Sequence, residues 1–547
     1  MPTITFSLKD LQNLVGKKLA IKDVEQIAEY CKGECENYNK ETDEVTFSLD
    51  DTNLPYLWSV EGIARLVRGI YNIESGVPQL KVKKSSYQLI VDSSVKKIRP
   101  YIASFVAKGK KIDEYLLRQL IQLQEKFCES YGRKRKKASI GLYSYKHITF
   151  PVHYIAVLPT SVSFIPLEGN KKLNLSQILK DHPKGKEYAY ILQDKPLYPL
   201  LVDSKNEVLS FPPVINSNLT GKIEVGDSDL LMEVTGEDED TVNLAVNIFA
   251  FALSDRGFDI YSVDIKYPGR KISTPFMFND SIKIKESDVE GMLGLGLKKA
   301  EIKKLLEKAR YDFANFVVKI PPYRKDIMHP YDVIEDIAIV YGFHNIKDKP
   351  LSSYTVGETM PIVKFSDNFR EALVGQGYQE IMSQILSNKP VLNEKMNVKD
   401  SGAIEISNYM SESYSAVRSW VLPMLMEALS KNKHVEFPQK IFEQGTATVN
   451  RERIRDYEFI AAASSHAAAS FTEMKQLVEY LFRVMAIEIT LEEAAHDSFV
   501  KGRCAKILVN KAEVGFFGEI SPVVLENWNI EMPVAAMQIN LSVVRAI

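Results

Sequence analysis

Apolar positions recur along this chain with two periods, and the switches between them divide it. Leu8, Leu11, Leu14 and Val15 keep helical spacing behind Ser7 and Asp10, a capping-box pair, and Val60, Ile63, Ala64, Val67 and Ile70 do so behind Ser59. A longer amphipathic helix over 111–131 carries Leu116, Leu117, Leu120, Ile121, Leu123 and Phe127, enough apolar surface to cover a sheet. From Gly132 the stretch GRKRKKASIGLYSYKHITFPVHYIAVLP alternates into strands, FPPVINSN at 211–218 is a turn cluster, and LMEVTGEDED ends a strand before a helix over 241–254. A strand at 281–285 leads to Ser287-x-x-Glu290, a capping box, and then to glycines 294 and 296. A helix over 298–308 buries Ile302, Leu305, Leu306 and Ala309, and a strand follows at 316–320. Pro330 and Gly342 bound a helix over 331–341 with Val333, Ile334, Ile337, Ala338 and Tyr341 on its apolar face. Beyond 351 the pattern becomes antiparallel α+β: a helix at 367–376, then strand-like YQEIMSQILSN, SWVLPMLMEALSKN, KIFEQGTATV and GFFGEISPVVLENW.

Composition narrows the picture. A length of 547 residues predicts three to five domains, and a net charge of −2 excludes wholesale electrostatic binding of nucleic acid, so any RNA contact must be local. Arg133, Lys134, Arg135, Lys136 and Lys137 form one such patch, readable as a phosphate contact or as a solvated loop. Cys31, Cys35, Cys128 and Cys504 are too scattered for a disulfide framework. The first residues lack a basic-then-apolar leader, and Val242 to Leu253 is too short to span a bilayer, which predicts a soluble, cytoplasmic protein.

The chemistry concentrates in KIPPYRKDIMHPYDVIEDIAIVYGFHNI, residues 319–346. Asp332, Glu335 and Asp336 share one helix face and Asp326 lies just upstream. Such oxygens suit a hard cation such as magnesium, and acids in a first helical turn also complement the macrodipole with no metal at all.

The same string resembles the signature of the phenylalanyl-tRNA synthetase beta-subunit family, in its archaeal and eukaryotic cytosolic form: Arg-x-Asp, then Asp-x-x-Glu-Asp/Glu, then Tyr-Gly-Phe/Tyr, met by Arg324, Asp326, Asp332, Glu335, Asp336, Tyr341 and Gly342. DTNLPYLWSVEGIARLVRGI at 51–70 is similar to that family's N-terminal pattern. The resemblance implies an α+β multidomain chain. Its parts are an N-terminal α/β structural module at 1–80, a mixed α/β editing domain at 81–270, a small helical winged-type module at 271–350, and at 351–547 a class II synthetase-like antiparallel sheet with flanking helices.

It further implies an α2β2 heterotetramer with an alpha subunit, tRNA(Phe) as partner, ATP as substrate of the complex, and Mg2+ shared between subunits through Asp326, Asp332, Glu335 and Asp336. Catalytic members of the class II fold use fixed arginines on ATP and its developing charge. Here Phe442-Glu443-Gln444-Gly445 lacks the preceding Arg and Gly518-Glu519-Ile520-Ser521-Pro522 carries no Gly-rich Arg strand, so the aminoacylation site is expected on the alpha chain and no catalytic residue is assigned here. A site that accommodates Phe has limited power to reject an analogue with one extra hydroxyl, which gives hydrolysis of Tyr-tRNA(Phe) a physical purpose. Asn216, Ser217, Glu233 and Thr235 are its candidates, with ordinary turn and strand-end bonding as the alternative; Arg133, Lys134 and Arg135 are candidates for tRNA contact. The alternative reading is a free-standing nucleic-acid-binding or trans-editing protein, since two short helices on small strands at 271–350 also suit DNA-binding modules.

Overall fold

The computed structural model describes residues 2–450 and 453–547. The chain divides into two compact units, Met1–Lys349 and Pro350–Ile547. The first unit opens with an antiparallel sheet of Thr3–Ser7, Glu44–Leu49 and Gly33–Asn39, in that spatial order. Ser7 Oγ accepts from the Asp10 amide at 3.2 Å and starts the helix Leu8–Val15. Asp10 does not complete the expected box, because its carboxylate takes Arg256 at 2.6 and 2.7 Å.

Ser59 Oγ caps the helix Val60–Ile70 through the Gly62 amide at 3.2 Å. This helix is buried on almost every side, between Leu8–Val15 and the helix Lys299–Lys308. At Gly69 a Cβ would lie 2.1 Å from the Lys308 carbonyl oxygen, so the close crossing requires glycine. Arg65 and Arg68 from this helix reach Asp255 at 2.6 and 2.7 Å, and Arg256 reaches Glu61 at 2.6 Å as well as Asp10. Three arginines and three carboxylates therefore tie the N-terminal segment to the end of the helix Glu239–Asp255, each charge tolerated in the interior because it is paired.

The unit's main sheet has eleven strands. Asp229–Gly236 lies between Tyr101–Lys108 and Ala138–Ser144, antiparallel to both. Asp259–Tyr267 links Tyr101–Lys108 to a second half built from Gln88–Val91, Val152–Val157, Tyr198–Val202, Val208–Phe211 and Ile215–Asn216. Alternation sends Ala103, Phe105, Met232 and Val234 into one core with Leu120 and Phe249 from the helices Glu114–Glu129 and Glu239–Asp255. The opposite parity, Ile102, Val106, Tyr143 and Leu231, packs with Tyr154 and Leu201.

A three-stranded sheet of Ser281–Lys283, Val317–Lys319 and Asp312–Ala314 follows, with the helices Glu286–Leu293, Lys299–Lys308 and Pro330–Tyr341. Several expected boundaries move, each for a local reason. Asp113 caps Leu116 at 2.7 Å, so the helix expected over 111–131 is Glu114–Glu129; Asp238 caps Thr241 at 3.0 Å, so the next begins at Glu239. Ser287 is not a cap: the helix starts behind Lys285, placing Ser287 in the first turn, and Glu290 accepts from the Gly296 amide at 2.6 Å instead.

The second unit is a seven-stranded sheet in the order Gln379–Glu380, Gln439–Asn450, Ile454–Ser465, Val534–Asn540, Ala512–Ile520, Phe499–Val509, Thr490–Glu493, antiparallel except for the first pair. Phe442, Ile460, Ala462, Phe517 and Met537 bury against the helices Pro361–Gly375, Phe471–Val484 and Leu541–Ala546. On the other face Ala461, Ala463 and Ala536 leave room for the helix Leu422–Lys431. Here Pro361 starts the helix expected over 367–376 six residues early, and YQEIMSQILSN yields only two-residue strands. Among the described residues no helix is long and apolar enough to cross a membrane.

Candidate functional site

Glu233 stands mid-strand, opposite Ser104 on one neighbour and Gly141 on the other. It is 2% exposed. The Tyr143 hydroxyl donates to Glu233 Oε1 at 2.8 Å and lies 2.8 Å from Ser210 Oγ, while Glu233 Oε2 is buried with no hydrogen-bond partner. A Cβ on residue 141 would come 2.5 Å from Glu233 Oε1 and 2.2 Å from Tyr143 Oη, so the approach of these two groups depends on glycine. Burial pushes the Glu233 carboxyl up to about 7, against the opposing pull of the Tyr143 hydrogen bond and the Arg99 charge.

Of the other editing candidates, Asn216 lies on the neighbouring strand: it pairs in register with Ser210, and its amide nitrogen lies 3.4 Å from Leu142 O and 3.2 Å from Gly221 O. Thr235 serves the framework, accepting from buried Arg99 at 2.9 Å through Oγ1 and 2.6 Å through its carbonyl. Ser217 Oγ likewise accepts from the Leu219 amide at 3.2 Å within its own turn. Tyr143, Ser210, Gly141 and Arg99 were not legible as members of the cluster. The one available signal was the alternation of ASIGLYS, which puts Ser139, Gly141 and Tyr143 on a single face.

The basic turn separates its members. Arg133 and Lys134 are exposed, whereas Arg135 folds inward, donating to Pro213 O at 3.1 Å and Val214 O at 3.0 Å with its guanidinium 4.2 Å from the Tyr188 ring centre.

The acidic helix carries its own cations. Arg324 donates to Asp326 through Nε at 3.1 Å and through Nη2, and to Asp336 through Nη1 at 2.7 Å; the Tyr311 hydroxyl adds 2.5 Å to Asp336. Lys32 reaches Glu335 at 2.8 Å and Asp51 at 3.3 Å. Asp332 accepts from the Met328 and His329 amides at 2.7 Å each, as a helix-terminus cap. Burial opposes the Arg324 charge, yet Asp326 and Asp336 outweigh it and hold its pKa well above the arginine norm. The oxygens are of the right chemistry for Mg2+, but as they stand they do not fit one: among the described residues no three His, Cys, Asp or Glu side chains gather around a common point, and Arg324 and Lys32 already hold three of the four carboxylates. Of the four candidate ligands, Asp326, Asp336 and Glu335 thus stand in three ion pairs and Asp332 serves as a cap.

In the second unit Glu443, from the Phe-Glu-Gln-Gly stretch, pairs with buried Arg418 at 2.6 Å, and Arg418 also donates to Thr446 O at 2.8 Å and Ser383 Oγ at 2.9 Å.

Residues 282–343 match the family described as tRNA synthetase B5 domain. Residues 347–541 match the family described as phenylalanyl tRNA synthetase beta chain CLM domain. The chain is 41% identical over 552 residues to the phenylalanine–tRNA ligase beta subunit of Pyrococcus abyssi and 40% identical to that of Pyrococcus furiosus, covering 99% of both chains in each case. It also resembles the crystal structure of an N-terminal fragment of the phenylalanyl-tRNA synthetase beta subunit from Pyrococcus horikoshii, with a TM-score of 0.60 and 37% identity over 62% of this chain and 100% of the fragment. The chain belongs to the phenylalanine–tRNA ligase beta subunit family.

Proposed function

We propose that this chain is the subunit of a cytoplasmic α2β2 phenylalanine–tRNA ligase that lacks the ligation site and supplies assembly, tRNA contact and hydrolytic editing. In this reading ATP and Mg2+ act in the ligation step on the alpha chain, and the four segments 1–80, 81–270, 271–350 and 351–547 are its structural, editing, acidic-helix and synthetase-like modules. Arg133 and Lys134 offer their charges to tRNA phosphate.

One observation carries the editing assignment: Glu233 Oε2, a buried oxygen with no hydrogen-bond partner. A tyrosine hydroxyl brought to that oxygen would pair with it, whereas phenylalanine would leave it desolvated and unpaired, so a site at Glu233 favours the wrong amino acid for removal. Water then adds to the ester carbon, the bond to the ribose oxygen breaks, and the ribose hydroxyl regains a proton as tyrosine leaves. Asn216 and Tyr143 line the approach and orient the ester rather than supply a base.

The test uses the assembled enzyme and Tyr-tRNA(Phe). Glu233→Ala should slow deacylation about 10- to 150-fold, the equivalent of one buried hydrogen bond left unmade, while Phe charging stays at the wild-type rate. Unchanged deacylation would remove Glu233 from the site. Hydrolysis by the isolated chain at the full rate would favour a trans-editing protein.

A further inference from the structure

Three successive residues in the turn after the helix Glu114–Glu129 have left-handed backbone: Arg133 at φ 51°, Lys134 at 50° and Arg135 at 65°. None is glycine, so the turn is strained and persists only where its surroundings enforce it. The enforcing contacts are specific. The three amides donate to Ser130 O at 3.0 Å, Glu129 O at 3.1 Å and Cys128 O at 3.0 Å, and the Tyr190 hydroxyl donates to Lys134 O at 2.9 Å. This geometry points Arg135 away from its two exposed neighbours and onto the carbonyls of Pro213 and Val214.

Those carbonyls belong to the segment that enters the strand Ile215–Asn216. From Asn216 the path is short: its register partner Ser210 lies 2.8 Å from Tyr143 Oη, which lies 2.8 Å from Glu233. Arg135 Nη1 donates to both carbonyls at once, and the guanidinium is held over the Tyr188 ring, so the side chain is anchored on two sides.

We propose that Arg135 is a positioning residue that makes the basic turn and the Pro213–Asn216 segment one mechanical piece, so that RNA phosphate held by Arg133 and Lys134 sets the placement of Asn216 beside the hydrolytic pocket. The proposal rests on the editing reading above and adds a coupling between grip on the RNA and hydrolysis.

The experiment takes the assembled enzyme and Tyr-tRNA(Phe). Replacing Arg133 and Lys134 by Ser should raise KM and lower the steepness of its salt dependence by about 2 in logarithmic slope. Arg135→Met should instead lower kcat about 10- to 100-fold with KM nearly constant, the cost of a misplaced positioning group, and Arg135→Lys should recover part of it. Hydrogen exchange gives a second readout: uncharged tRNA(Phe) should slow exchange over 212–218 in the wild type and not in Arg135→Met. Wild-type kcat in Arg135→Met, or protection by tRNA confined to 130–137, would overturn the coupling. The wild-type exchange measurement decides the matter even where Arg135→Met does not fold. Loss of hydrolysis in Glu233→Ala with none in Arg135→Met would sink the coupling alone; no loss in Glu233→Ala would sink the editing reading itself.

Discussion

Replacing Glu233 by Gln should change how the first unit's stability depends on pH, by an amount set by its environment. Burial raises the carboxyl from 4.5 to about 7. Between those values the folded chain holds a proton that the unfolded chain has released, so stability is highest below pH 4.5 and falls as pH rises toward 7. A displacement of that size corresponds to about 3 kcal/mol in total, of which about 2–3 kcal/mol is lost between pH 5 and pH 8. Glutamine keeps the shape and removes the ionisation, so the variant should gain about 2–3 kcal/mol relative to wild type over that interval, whatever fixed offset the lost acceptor imposes at pH 5. Trp58 is the sole tryptophan of residues 1–349, and with Trp420 and Trp528 replaced by Phe its fluorescence reports urea unfolding of the first unit directly. A difference between Glu233→Gln and wild type that is the same at pH 5 and pH 8 would refute the raised carboxyl.

The other expected outcomes concern the acidic helix and the glycine opposite Glu233. Arg324→Met leaves Asp326 without a charge partner and Asp336 with only Lys32 at 3.9 Å, and should destabilise the first unit by about 3–5 kcal/mol in urea unfolding. Melting of the isolated wild-type chain should be the same in millimolar Mg2+ and in chelator, because Arg324 and Lys32 already neutralise the carboxylates; a rise of several degrees with Mg2+ would show that an ion displaces them. Gly141→Ala drives a methyl into Tyr143 and Glu233, and should lower stability by about 1–3 kcal/mol together with Tyr-tRNA(Phe) deacylation.

Local chemistry was legible wherever a signal is written in adjacent residues. Ser59 before an apolar helix and Pro330 with Gly342 around another gave those two elements almost to the residue. Spacing also put Asp332, Glu335 and Asp336 on one short stretch of helix. It did not show what faces them, because Lys32 lies some three hundred residues upstream and Arg324 reads equally well as a member of a ligand motif and as its filler. Glu233 was visible as a polar residue where a strand was expected to end, whereas it stands inside the strand Asp229–Gly236. Its partners were not: Tyr143 and Ser210 arrive from separate strands, and no periodicity within one segment encodes pairing across a sheet. The roles of Arg133 and Arg135 diverge for a similar reason, since a charge run gives composition and not the distant partners, here Pro213, Val214 and Tyr188, that draw one side chain inward and leave another outside.

The arginines at 65, 68 and 256 bear on how this chain tolerates being cut. A fragment beginning near residue 81 would keep Asp255 and Arg256 but lose Arg65, Arg68, Asp10 and Glu61, stranding opposite charges on a surface built to be covered. The first eighty residues are therefore a wall of the fold that carries the eleven-stranded sheet rather than an appendage hung on it, and any attempt to isolate that fold must carry them along.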